Sequence, residues 1–240
     1  MKTVIENNSY FACLALEDVY GKVAIPVPIK VGPGTWIFGR PPVGMDAIWS
    51  KWLGSLREES WTKSKVVILA KERSRHTSGE DIQSELRNRV FAVFYSILLQ
   101  GAGYSERALL LEGEKWKKEI SVQSVQDIDG HRRTEGQRPV QLNNHVLRKI
   151  PPIAVGLRFL YAQKCGRLKR GFEAWEKALR EQYAEDKLHQ LVRALEAVVK
   201  TGPNDIGRKF GQRAALFVRG VSNPRGYFQE MWKFVARSSM

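Results

Sequence analysis

Part-way along this chain the spacing of its apolar residues changes. Up to about residue 126 most of them stand in short β-branched and aromatic runs broken by Gly and Pro, whereas from about residue 147 they recur only at helical intervals. A chain written in two such patterns is expected to be α+β, with a strand-rich N-terminal domain over 1–128, a linker over 129–146 and an all-helical bundle over 147–240. At 240 residues it can form one large domain or two modest ones, each burying its own core, and two is the preferred count.

The strand signals come first. SYFACLAL from Ser9, KVAIPVPIKV from Lys22 and TWIFG after Gly32-Pro33-Gly34 read as strands and turns. Pro26 and Pro28 lack the N–H of a ladder, so the second strand should lie at a sheet edge or be broken there. Val66 to Ala70 is an unbroken apolar run between Lys65 and Lys71, as a strand covered on both faces requires, and is expected at the centre of the sheet. Ser78 stands three residues before Asp81 as a cap, and Ile82, Leu86, Val90, Val93, Phe94 and Ile97 then mark a helix that Gly101 ends. Leu109 to Leu111 and Ile120 to Val125 are further strands, and Asp127 to Asn144 has no periodicity.

Helices follow. Pro151-Pro152 suits the opening of a helix carrying Val155, Leu157, Leu160 and Tyr161, closed by Gly166. Arg167 to Tyr183 carries the stripe Leu168, Phe172, Trp175 and Leu179, and Lys187 to Lys200 carries Leu188, Leu191, Val192, Leu195 and Val199. Asn204 or Asp205 can cap a helix holding Ile206, Phe210, Ala214 and Phe217, and Tyr227 to Val235 makes one more. Short connections between one-faced helices point to an antiparallel bundle.

Charge narrows the partners. The formal net charge is +14, but residues 1–146 contribute +3 and residues 147–240 contribute +11. Such a field draws polyanions, with nucleic acid the first candidate and anionic lipid the second; a solvated basic face without a partner is the plainer alternative. Val90 to Leu99 is the longest apolar run and too short to span a bilayer, and the N-terminus lacks the apolar stretch of a signal peptide. No membrane association and a cytoplasmic location are therefore expected. The two cysteines, Cys13 and Cys165, stand far apart, as buried free thiols rather than a disulfide or a CxxC metal site.

Catalytic signatures are sparse. Phosphate-loop, GxGxxG, HExxH and G-x-S-x-G patterns are missing, so no cofactor is expected. His76, His131, His145 and His189 are scattered and bring no metal-ligand spacing with them. His189, Arg193, Glu196 and Lys200 share the polar side of one helix, where Arg193 and Glu196 can pair at i, i+3; they form either a solvated face or a surface for phosphate. Arg208, Lys209, Arg213, Arg219 and Arg225 follow with no acid between Asp205 and Glu230. Unpaired cations this dense repel one another and favour a bound polyanion. Gly207 and Gly211 mark close helix packing, and Tyr227, Phe228, Trp232 and Phe234 serve a core or, alternatively, stack on bases.

The segment from Lys187 to Val199, the break at Gly202-Pro203, and Arg208 to Val218 together resemble helices of bacterial proteins of the HEPN superfamily, most of all the ApeA-like group. Arg87 to Leu111, with Gln100-Gly-Ala-Gly103, is similar to the N-terminal part of those proteins, so the resemblance covers most of the chain. It implies RNA binding, a role in antiviral defence, and in active members a metal-independent ribonuclease. There an Arg followed by a polar residue stabilises the scissile phosphate, and a His some four to six residues later moves the proton, across the cleft of a homodimer. Arg237 and Ser238 occupy the Arg-polar positions, but the matching His would fall beyond Met240. The resemblance therefore implies a truncated or inactive relative. Arg138 and His145 have a similar spacing but enclose Pro139 and do not suit a helix. Two other classes stay open: a nucleic-acid-binding regulatory module without enzymatic ancestry, and a helical dimerisation or interaction protein with an acidic partner.

Overall fold

The computed structural model describes residues 5, 8–17, 19, 23, 25, 27–42, 46–73, 79–105, 107–116, 119–129, 131, 140–162 and 166–199, with the backbone alone at 46–52, 116, 119 and 199. The fold is α+β, and the chain divides into two compact units, Met1–Ala162 and Gln163–Met240.

The first unit is built on an antiparallel sheet of six strands: β1 (Ser9–Glu17), β2 (Ile29–Gly32), β3 (Thr35–Phe38), β4 (Val66–Arg73), β5 (Arg107–Trp116) and β6 (Glu119–Asp129), in the order β2-β3-β4-β1-β5-β6. The apolar run of β4 lies inside the sheet between β3 and β1, with Val66 to Ala70 fully buried, as its lack of alternation predicts. Strand β2 sits at an edge and starts only at Ile29, just past Pro28, which has no N–H to give a ladder. The hairpin from β2 to β3 turns at Gly34, whose φ of 59° is open to glycine.

Alternation sends Phe11, Cys13, Ala15 and Glu17 of β1 to one face of the sheet, and Ala12, Leu14 and Leu16 to the other. Helix α1 (Asp46–Lys63) covers the first face: its Leu53 and Trp61 join Phe11, Cys13, Ala15, Val67, Leu69, Leu109 and Leu111 in one core cluster. The sequence offers little sign of α1, because its periodicity is weak and Gly54 interrupts it with φ 71° and ψ 164°. Helix α2 (Gly79–Leu98) covers the second face with the buried stripe Ile82, Leu86, Val90, Val93, Phe94 and Ile97 that its periodicity predicts. Gly101, at φ 74°, ends it, and its N–H donates to the Leu98 carbonyl at 2.9 Å. The capping residue expected there, Ser78, lies outside the described residues.

Helix α3 (Asn144–Ala162) packs on α2 and belongs to the first unit. Its start corrects the sequence expectation. The proline pair sits inside the helix rather than at its opening, because two stronger signals lie upstream: the Asn143 side chain accepts from the N–H groups of His145 (3.0 Å) and Val146 (3.3 Å), and Val146, Leu147, Ile150, Ala154 and Leu157 form the buried stripe. Gly166, expected to close this helix, instead begins the next one.

In the second unit, α4 (Gly166–Arg180) and α5 (Ala184–Val199) form an antiparallel hairpin around a three-residue connection, 181–183. They approach closely at Gly171, where an added Cβ would meet the Ala197 Cβ at 2.5 Å and the Ala194 carbonyl at 3.2 Å. The buried side of α4 is Gly171, Phe172, Ala178 and Leu179, while Leu168, expected in the stripe, is exposed. The helices expected over 204–217 and 227–235 lie outside the described residues. Among the described residues, no helix is long and apolar enough to cross a membrane.

Cys13 is completely buried and burial pushes its thiol well above the ordinary cysteine range. With Cys165 replaced by serine, Cys13 should resist a thiol-specific disulfide reagent at about pH 8 and react fully once denaturant unfolds the chain. Rapid labelling of the native protein would show that the α1 face opens to water.

Candidate nucleic-acid interface

Helices α4 and α5 carry charges of both signs, and spacing along each helix sorts them. On α4, Lys169 pairs with Glu173 and Arg180 with Glu176, while Lys177 pairs with Glu181 just past the helix end; each pair is four residues apart, as neighbours on a helix surface must be. These pairs absorb the three acids of the segment and leave Arg167 and Arg170 with no ion pair among the described residues. Both lie in the first turns of α4, just before the close approach at Gly171.

Across that approach stands Arg193 of α5. Together Arg167, Arg170 and Arg193 line a cavity of about 310 Å³ with Gly171, Ala174 and Ala197, and Glu196 is the one carboxylate in its lining. The small residues matter: they let the backbones approach, so that guanidinium groups from two helices reach one concavity. The pairing between Arg193 and Glu196 that their spacing allows does not form, so both remain open to a ligand. Arg167 Nη1 is buried and makes no hydrogen bond. A buried guanidinium N–H without an acceptor costs roughly 1–3 kcal/mol.

No family model, curated protein or solved structure matches this chain. The chemistry of the groove therefore rests on its own side chains. Three planar donors converge on a space suited to a phosphate group, and guanidinium pairs with phosphate in two-pronged fashion. The lining holds no imidazole, thiol or hydroxyl, so it is equipped to bind an anion and not to transfer a proton through a histidine.

Of the residues that the sequence singles out, Arg193 lies in this groove and His189 lies on the same helix away from its lining. Lys200, Arg208, Lys209, Arg213, Arg219, Arg225, Arg237 and Ser238 lie outside the described residues. Arg167 and Arg170 are the additions from the structure. Their signal in the sequence is the basic run Arg167-Leu-Lys-Arg170 directly before Gly171, a small residue with cations on the preceding turn. Among the described residues, no three His, Cys, Asp or Glu side chains gather as a metal ion would need.

Proposed function

We propose that this chain binds RNA through the cationic surface of its second unit, as a HEPN-like protein whose helical bundle presents arginines to the phosphate backbone. The observation that carries this reading is the convergence of Arg167, Arg170 and Arg193 on one groove, each without an acid partner among the described residues. Charge supports it, since residues 163–240 hold 16 Lys or Arg against 8 Asp or Glu, +8 of the net +14. So does the resemblance of Lys187 to Val218 to HEPN helices. Phosphate contacts carry affinity without sequence preference, so binding should be strong at low salt and tolerant of sequence.

The test is titration of a labelled single-stranded RNA across a salt series, with the wild type and an Arg167→Ala, Arg170→Ala, Arg193→Ala variant. Every phosphate that an arginine no longer neutralises should reduce the slope of log affinity against log salt by about 0.7, so the triple variant should fall by about 2 in slope and at least ~10-fold in affinity near 0.1 M salt. An Arg208→Ala, Lys209→Ala, Arg213→Ala variant measures the contribution of the following segment in the same way. If both variants match the wild type in affinity and slope, the basic surface does not hold RNA.

A further inference from the structure

A second site lies in the first unit, at the end of the sheet under α1. The β1–β5 register sets Glu17 opposite Arg107, and the β5–β6 register sets Arg107 opposite Asp129. Directly opposed residues share a face of the sheet with Cα atoms about 4.5–5.5 Å apart, so the three form a row, acid, base, acid. The face is the one that α1 covers, and the row borders a cavity of about 810 Å³.

The charges around this cavity are divided as they are on α4. Arg57 is taken by Asp127 at 2.8 Å and Lys63 by Glu59 at 2.6 Å. Glu17 and Arg107 have no ion pair among the described residues, although they stand side by side. Glu17 is 8% exposed, and its Oε2 is buried without a hydrogen bond. A buried carboxylate oxygen of this kind needs a donor. Part of the remaining lining is apolar, with Ala15, Leu53 and Leu109 buried, and Ser55, Ser60 and Ser64 line it beside them. Helix α1 breaks at Gly54, above the same space, where nothing lies within 4 Å of an added Cβ.

A ligand that satisfies this arrangement needs N–H donors for Glu17 and, about one strand spacing of ~4.8 Å away, acceptors for Arg107. It also needs a flat apolar body to lie against Ala15, Leu53 and Leu109. Guanine has that form: N1–H and N2–H₂ sit beside O6 and N7 on one side of the ring system, and arginine to O6 and N7 is the commonest specific contact to this base. Adenine lacks the adjacent N1–H and N2–H₂ donors. The volume is that of a nucleotide-sized pocket rather than of a single ion. We propose that this cavity is a guanine-binding site, in which the Glu17 carboxylate accepts from N1–H and N2–H₂ and the Arg107 guanidinium donates to O6 and N7. The base can belong to a free nucleotide or to an unstacked position in RNA, and the two sources are separable. The proposal stands apart from RNA binding by the second unit.

The experiment is calorimetric titration of the full chain with GMP, with AMP, and with two single-stranded oligouridines that differ by one central guanosine. GMP, the guanosine oligonucleotide or both should bind at least ~10-fold more tightly than AMP or plain oligouridine, a discrimination of the size one base contact supplies. Binding of GMP alone assigns the site to a free nucleotide, and preference for the guanosine oligonucleotide alone assigns it to RNA. Glu17→Gln, which keeps the shape of the side chain, should lose that preference while leaving the thermal transition unchanged or raised, because it removes an unsatisfied buried charge. The Arg167, Arg170, Arg193 triple variant should retain GMP binding, so failure of one site is distinguishable from failure of the other. Absence of any guanine preference would overturn the proposal, and a lower melting temperature for Glu17→Gln would show that Glu17 instead pairs internally with Arg107.

Discussion

Trp61→Ala is expected to lower the unfolding free energy by about 3–5 kcal/mol, in the range found for deletion of a buried aromatic side chain. Trp61 is 1% exposed, among the largest fully buried side chains, and sits where the last turns of α1 meet β1, β4 and β5. Among the described residues, Leu53 and Trp61 are the α1 members of that core cluster, and Trp61 is the larger of the two. Against a typical total of about 5–15 kcal/mol, the expected loss is a large fraction. The check is denaturant unfolding, read as a shift of the midpoint at constant slope. A loss below about 1 kcal/mol would mean that α1 is anchored by something other than Trp61.

Arg87→Ala should have the next largest effect. Glu112 lies on the α2 face of β5 with 3% of its side chain exposed, and Arg87 of α2 grips it in two-pronged fashion, at 2.9 Å to one oxygen and 2.5 Å to the other. The hydrogen bond to Glu112 raises the pKa of Arg87 and keeps it charged. Removing one partner of a fully buried pair costs about 3–5 kcal/mol, chiefly because the other charge is stranded. Arg87 is 44% exposed, so water can reach part of the vacated space, and the expected loss is reduced to about 2–3 kcal/mol. Replacing both residues, Arg87→Met with Glu112→Leu, should recover most of it, since no unpaired charge then remains. If the double variant were as unstable as the single one, the ion pair would supply something that packing cannot replace.

These two residues hold α1 and α2 to opposite faces of the sheet, and the Glu17 and Arg107 cavity lies on the α1 side. The groove on α4 and α5 depends on a different device: a glycine and alanines at a helix crossing, with cations on the neighbouring turns. In both places, ion pairs consume most of the charges and leave a few basic or acidic groups open at a concavity.

The amino-acid order alone was enough for the α+β class, for β1, β3, β4, α2, β5 and β6, and for placing the second strand at an edge, because each of these rests on a local period or on the missing N–H of proline. It was also enough to place the excess charge in the C-terminal half. It did not reveal α1, whose pattern is weak and broken at Gly54, nor the true start of α3, where the Asn143 cap and the stripe from Val146 outweigh a proline pair that reads as an opening. Only the folded chain could select Arg167 and Arg170. A helical wheel shows which residues share a face, but which cations stay unpaired depends on the rotamers and on the helix packed opposite. The same holds for Glu17, Arg107 and Asp129, which are neighbours only through strand register. Local pattern follows from the geometry of one element, whereas register and pairing follow from the packing of many elements at once, and this is why the open charges became visible only in three dimensions.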